Sequence, residues 1–105
     1  MSSIIKDIQE TIGITPSDAK GWLYAARGFY RIGQFQKAAE AVMYCISNPH
    51  TSREAYRILS HSYRQMGNVE GMMKALYKSV RLGNEEDWQC LIEGAIDHPD
   101  VKFVE

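Results

Sequence analysis

Three features of this 105-residue sequence predict an all-α fold. Apolar residues recur at spacings of three and four, glycine and proline punctuate the chain at regular distances, and the pattern repeats with a period of 34 residues. A shift of 34 places Trp22 on Tyr56, Phe29 on Tyr63, Gly33 on Gly67, Phe35 on Val69 and Val42 on Leu76. Each unit has room for two helices and a turn. The prediction is a stack of antiparallel helix hairpins, about six helices followed by a short acidic tail, in a single domain.

Residues 1–16 form half a repeat, one helix with Ile4, Ile8 and Ile12 at core positions. Thr15-Pro16-Ser17-Asp18 then offers a helix start, with Pro16 suited to the first helical position. Repeat one covers 17–50. Trp22, Ala25, Ala26 and Phe29 follow helical spacing, and Gly33 stands where the helix must turn back. Ala38, Ala41, Val42 and Cys45 stripe its second helix, which Asn48-Pro49 ends. Repeat two covers 51–84. Thr51-Ser52-Arg53-Glu54 reads as a capping box, Tyr56, Leu59, Ser60 and Tyr63 as the first stripe, and Met72, Ala75, Leu76 and Ser79 as the second. Asn84 with Asp87 repeats the start signal for a capping helix over 85–97, whose apolar stripe is Trp88, Leu91, Ile92, Ala95 and Ile96. Trp22 and Trp88 read as packing anchors, and residues 98–105 as the tail.

Hairpins of this length with these residues resemble the tetratricopeptide repeat family. Trp22, Ala26, Phe29, Gly33, Phe35 and Ala38 match its pattern in repeat one. Tyr56, Leu59, Ser60, Tyr63 and Gly67 match in repeat two, where Met72 stands at a helix contact that usually holds alanine and implies a wider hairpin. The resemblance covers residues 17–84 by motif. It implies an α-solenoid that binds another protein, as an adaptor, a scaffold or a small subunit of a larger assembly. The family's lysine and asparagine clamp for chaperone tails is not matched, because Leu23, Arg27 and Ile58 occupy its positions.

In a stacked array the first helix of each pair lines the concave face. Lys20, Leu23, Arg27 and Tyr30 should face that groove in repeat one, and Glu54, Arg57, His61 and Arg64 in repeat two. Arginine pairs bidentately with carboxylates and tyrosine supplies a flat apolar surface, so the expected ligand is an extended acidic peptide or a chain-terminal carboxylate. Cations in last helical turns, such as Arg64, also serve the helix dipole without any ligand. A second expected interface is the first helix, where Ile4, Ile5, Ile8 and Ile12 would be covered by a partner protein or a second copy; the other expectation is that the helix rolls and all four reach the core.

The net charge of −1 hides an asymmetry. Residues 1–18 carry −2, residues 19–82 carry ten bases against three acids, and residues 83–105 carry seven acids against Lys102. The acidic end is expected to compete for the basic middle. Cys45 and Cys90 stand far apart with no partner motif, which favours an intracellular reducing compartment, either the cytoplasm or an organelle lumen such as the mitochondrial matrix. No stretch is apolar enough to span a bilayer, and the first ten residues make a poor signal peptide.

Phosphate loops, HExxH, GxSxG and CxxC patterns are absent, and His50, His61 and His98 are scattered. The expectation is therefore no enzyme, no metal and no cofactor. Cys45 falls at a core contact and Cys90 on the capping helix. RNA binding of the pentatricopeptide kind is the alternative, since the middle is basic and residues 88–94 look like that family's first helix. Tyr24 and Ile58 stand where that family reads bases, three units would read few bases, and a nucleic-acid partner is the less favoured one. A purely structural spacer subunit is a third reading.

Overall fold

From the second helix onward, helices adjacent in sequence are adjacent in space. The computed structural model describes residues 4–101, and among them are six helices and no strand. These are α1 (Ile4–Ile12), α2 (Ala19–Arg31), α3 (Phe35–Val42), α4 (Ser52–Gln65), α5 (Val69–Arg81) and α6 (Asp87–Asp97). Residues 102–105 of the expected tail, with Lys102 and Glu105, lie outside the described residues, as do the first three of the expected half repeat. Each helix from α2 to α6 packs on the next, α2 also meets α4, and α1 lies against α3. The result measures 45 × 27 × 23 Å.

The 34-residue period reappears in local geometry. Gly33 and Gly67 take φ values of 83° and 76°, a left-handed conformation that a Cβ disfavours. Gly33 N donates to the Tyr30 carbonyl at 3.1 Å and Gln34 N to the Phe29 carbonyl at 2.9 Å. At the equivalent turn Gly67 N donates to Arg64 and Asn68 N to Tyr63 at the same two distances. The ring contacts correspond as well. Trp22 stacks on Tyr44 with centroids 4.1 Å apart, and 34 residues on Lys78 lies over Tyr56 at 5.7 Å.

Helix boundaries depart from expectation in three places. α2 begins at Ala19, after Pro16 rather than at it, because Asp18 is the residue whose carboxylate accepts from Gly21 N at 2.8 Å. The second helix of repeat one stops at Val42. Residues 43–45 continue as tight turns with bonds to the third residue back, which still bring Cys45 into the core. Thr51 forms no capping box: its hydroxyl donates to the Cys45 carbonyl at 2.6 Å, and Glu54 turns to Arg27 instead of its own helix start.

The main apolar cluster joins Ile4, Ile8, Trp22, Leu23, Ala26, Val42, Cys45, Ala55 and Leu59. A smaller one joins Met73, Leu76, Val80 and Leu91. The expected open row on α1 is corrected here. Ile4 and Ile8 are buried and Ile5 packs against the main cluster, because Lys37 Nζ holds Asp7 Oδ2 at 3.0 Å and α1 lies down on α3. Ile12, at the last position of α1, stays exposed.

The stripe expected on α6 is also corrected. Leu91 is buried and Ala95 packs partly, whereas Trp88, Ile92 and Ile96 face solvent. Asp87, Leu91 and Gly94, spaced four and three apart, are the buried residues of α6. A polar anchor at one end and a close contact at the other set the rotation of the helix, and the richer apolar stripe is left outside. Met72 is only half-buried, and Met73 beside it is the enclosed residue of the pair.

Candidate functional site

Helices α2 and α4 and the turn before α6 line a groove of about 660 Å³. Tyr30 of α2 and Glu54, Arg57, Ile58 and His61 of α4 line it, with His50, Arg53 and Asn84 at its ends. Tyr30 is fixed edge-on against Phe35, with ring centroids 5.3 Å apart. Spacings of three and four on α4 place Glu54, Arg57, Ile58 and His61 on one face.

Glu54, Arg57 and His61 of this groove each meet an opposite charge. Arg27 donates from Nε and Nη2 to the two carboxylate oxygens of Glu54, a fork-to-fork bridge from α2 to α4. That bridge raises the Arg27 pKa further, so the guanidinium carries its charge at any working pH. Arg27 also lies over the Tyr24 ring at 5.1 Å. Arg57 Nη1 meets Glu86 Oε1 at 2.6 Å, and its Nε is 3.8 Å from Asp87 Oδ1. His61 Nε2 lies 3.4 Å from the same Asp87 oxygen.

Asp87 is the deepest member, with 1% of its surface exposed. A carboxylate so placed needs partners, since an unpaired buried charge costs several kcal/mol. Ser79 Oγ donates to Asp87 Oδ2 at 2.6 Å. Asn84 Nδ2 donates to Ser79 Oγ at 2.8 Å and to the Arg53 carbonyl at 2.7 Å. Arg53 in turn donates to Asn84 Oδ1 at 3.1 Å and to the Gly83 carbonyl at 2.9 Å. One network thus ties α4, the end of α5 and α6 together at the edge of the groove.

Of the seven residues expected to bind peptide, Tyr30, Arg57 and His61 come together in this groove. Arg27 reaches it through Glu54. Lys20 is exposed on α2 but lies outside it. Arg64 lies apart, in an adjacent cleft of about 280 Å³, with Nη1 3.9 Å from Cys90 Sγ. Leu23 is corrected: at 6% exposure it belongs to the core between α2 and its neighbours, not to a ligand face.

Arg53 and Asn84 were not legible as groove residues, because their pairing spans 31 positions and follows no local pattern. The local carboxylate density in 85–87 was the one signal for Glu86 and Asp87. Among the described residues no group of three or more His, Cys, Asp or Glu could hold a metal ion, and no helix is long and apolar enough to cross a membrane. Comparison with family models, curated proteins and solved structures returns no significant match to any of them.

Proposed function

We propose that the chain is a non-enzymatic protein-binding module, a short α-solenoid of tetratricopeptide kind that receives an extended acidic segment of a partner protein. In this reading it serves as an adaptor or small subunit of a larger assembly. The repeat correspondence supports the class: equivalent turns at Gly33 and Gly67, and equivalent ring contacts at Trp22 and Tyr56, recur 34 residues apart.

The observation that carries the ligand class is the Arg57–Glu86 pair. Arg57 is 44% exposed and Glu86 is similarly open. Exposed pairs of this kind contribute about 0–1 kcal/mol, so a ligand carboxylate replaces Glu86 at little cost. Asp87, buried and bonded to Ser79, stays in place and keeps Arg57 aimed into the groove. Glu86 is therefore a weak internal competitor, drawn from the acidic segment. Tyr30 and Ile58 supply the apolar floor that an extended chain needs between its charged contacts.

Fluorescence anisotropy with labelled acidic peptides, against sequence-scrambled neutral ones, tests this reading. Arg57→Glu should abolish acidic-peptide binding. Glu86→Ala should tighten it by up to about fivefold, the equivalent of roughly 1 kcal/mol. Binding that ignores both substitutions, or preference for single-stranded RNA over every peptide, would sink it.

A further inference from the structure

The two ends of the molecule carry apolar surfaces of opposite shape, and we propose that copies of the chain associate head to tail. The exposed ridge of α6 in one copy seats in the groove between α1 and α2 of the next. This goes beyond the ligand groove and uses none of its residues.

Trp88, Ile92 and Ile96 stand four residues apart on α6 and are 49%, 52% and 72% exposed. They form a convex ridge about 12 Å long, eight residues at 1.5 Å each. At the other end lies a groove of about 570 Å³. Its rims are the exposed Ile12, Tyr24 and Ile32, and Gly21, Ala25 and Gly28 of α2 make its floor. Tyr24 to Ile32 is again eight residues, so ridge and groove agree in length.

The floor has an internal counterpart. Residues 34 positions on from Gly21, Ala25 and Gly28 are Ala55, Leu59 and Ser62, all buried on α4, which packs against both α2 and α3. The face that is buried on α4 is only partly covered on α2, where Pro16 lies over Gly21 and Ala25 packs on the main cluster but Gly28 is exposed. A Cβ added at Gly28 would meet nothing within 4 Å. Small residues there let another helix approach closely, and a stacked array stays soluble when its outermost faces are polar. Both ends of this one expose large apolar side chains.

Charge selects the occupant. Glu85 precedes Trp88 by three residues and Glu93 follows Ile92, both exposed, and α6 contains no Lys or Arg. The charged residues that line the groove itself, Asp7 and Lys37, neutralise each other at 3.0 Å. The free charge at its border therefore comes from Lys20 and Arg31, four before and seven after Tyr24 on the same α2 face and both exposed. Ridge against groove brings acids to bases. Ridge against ridge would oppose like charges, and groove against groove would leave a void. A second copy therefore binds through unlike surfaces, and such an interface extends into rings or open chains rather than stopping at a symmetric pair.

Sedimentation velocity from micromolar to roughly millimolar protein reads the association directly. The wild-type chain should grow past dimer with concentration, and less so at high salt. Ile92→Glu spoils the ridge alone and Gly28→Glu spoils the groove alone. The second fits an open helical position and gains helix propensity, so its fold is kept. Each variant alone should be monomeric, and an equal mixture should form a one-to-one dimer through the one intact pair of surfaces. A wild-type chain that stays monomeric throughout, a variant that still self-associates like wild type, or a mixture that stays monomeric would each overturn the proposal.

Discussion

Burial settles what Cys45 does. Its side chain is enclosed in the main cluster and its thiol pKa is pushed up to about 11 from 9.0, chiefly by desolvation, with nearby Glu54 adding to it. The folded state therefore holds the thiol proton more tightly than the unfolded chain does. That contribution is complete below pH 9 and is lost as pH rises from about 9 through about 11. At about 1.4 kcal/mol per pH unit it amounts to no more than roughly 3 kcal/mol. The difference from a variant that lacks the thiol isolates its contribution. Cys45→Ala should lower stability at neutral pH by about 1–2 kcal/mol through the small cavity it leaves. Urea unfolding at pH 7.5, 9 and 10.5 should show that gap narrowing as pH rises. A gap that stays constant would mean the thiol ionises equally well in both states.

A single helix shows how two local forces compete. A Cβ at Gly94 would overlap the Met73 Sδ atom, and Met73 is wholly enclosed, so it cannot swing away. Overpacking of this kind costs about 1–3 kcal/mol, whereas alanine gains up to about 1 kcal/mol over glycine in a helix. Overpacking wins, and Gly94→Ala should lower the melting temperature by a few degrees. Gly28→Ala, with open space above it, should raise it. Opposite signs in a thermal melt are the expected result, and equal signs would show that propensity alone governs both sites. The same contact explains what could be read beforehand. Helical periodicity and the 34-residue shift are local signals, and they marked the α2, α4 and α5 stripes. The orientation of α6 depends on Asp87 meeting Ser79 and Gly94 meeting Met73, partners on another helix that periodicity does not encode. Arg57 was legible as a groove side chain for the same local reason, whereas Arg27 reaches the groove only through Glu54. Their pairing with Glu54 and Glu86 needed the helices placed first, since each partner lies about one repeat away.

Across the whole molecule, helix α5 divides two apolar clusters. Ala75 faces the larger one, and Met73, Leu76 and Val80 face the smaller one beneath α6. The only apolar side chain that α6 buries fully is Leu91, supplemented by partial burial of Cys90 and Ala95. Its remaining hold is the Asp87 network. Where helices meet only near neighbours, such an end opens by itself, at a free energy below that of global unfolding. Removing the Asp87 carboxylate takes the acceptor from Ser79 and a nearby charge from Arg57 and His61, and a hydrogen bond to a charged group is worth about 1.5–3 kcal/mol. Asp87→Ala should therefore speed amide exchange in α6 by roughly 10- to 150-fold, taking about 1.4 kcal/mol per factor of ten. Exchange in α2 and α3 should change less than about twofold, because neither helix supplies a hydrogen bond or charge to the network and opening of α6 leaves the larger cluster closed. Hydrogen exchange read by mass spectrometry on peptides from each helix separates the two cases. Acceleration confined to α6 follows from a stack held together pair by pair. Equal acceleration from α1 to α6 would show that the chain opens as one unit, with the Asp87 network supporting all of it.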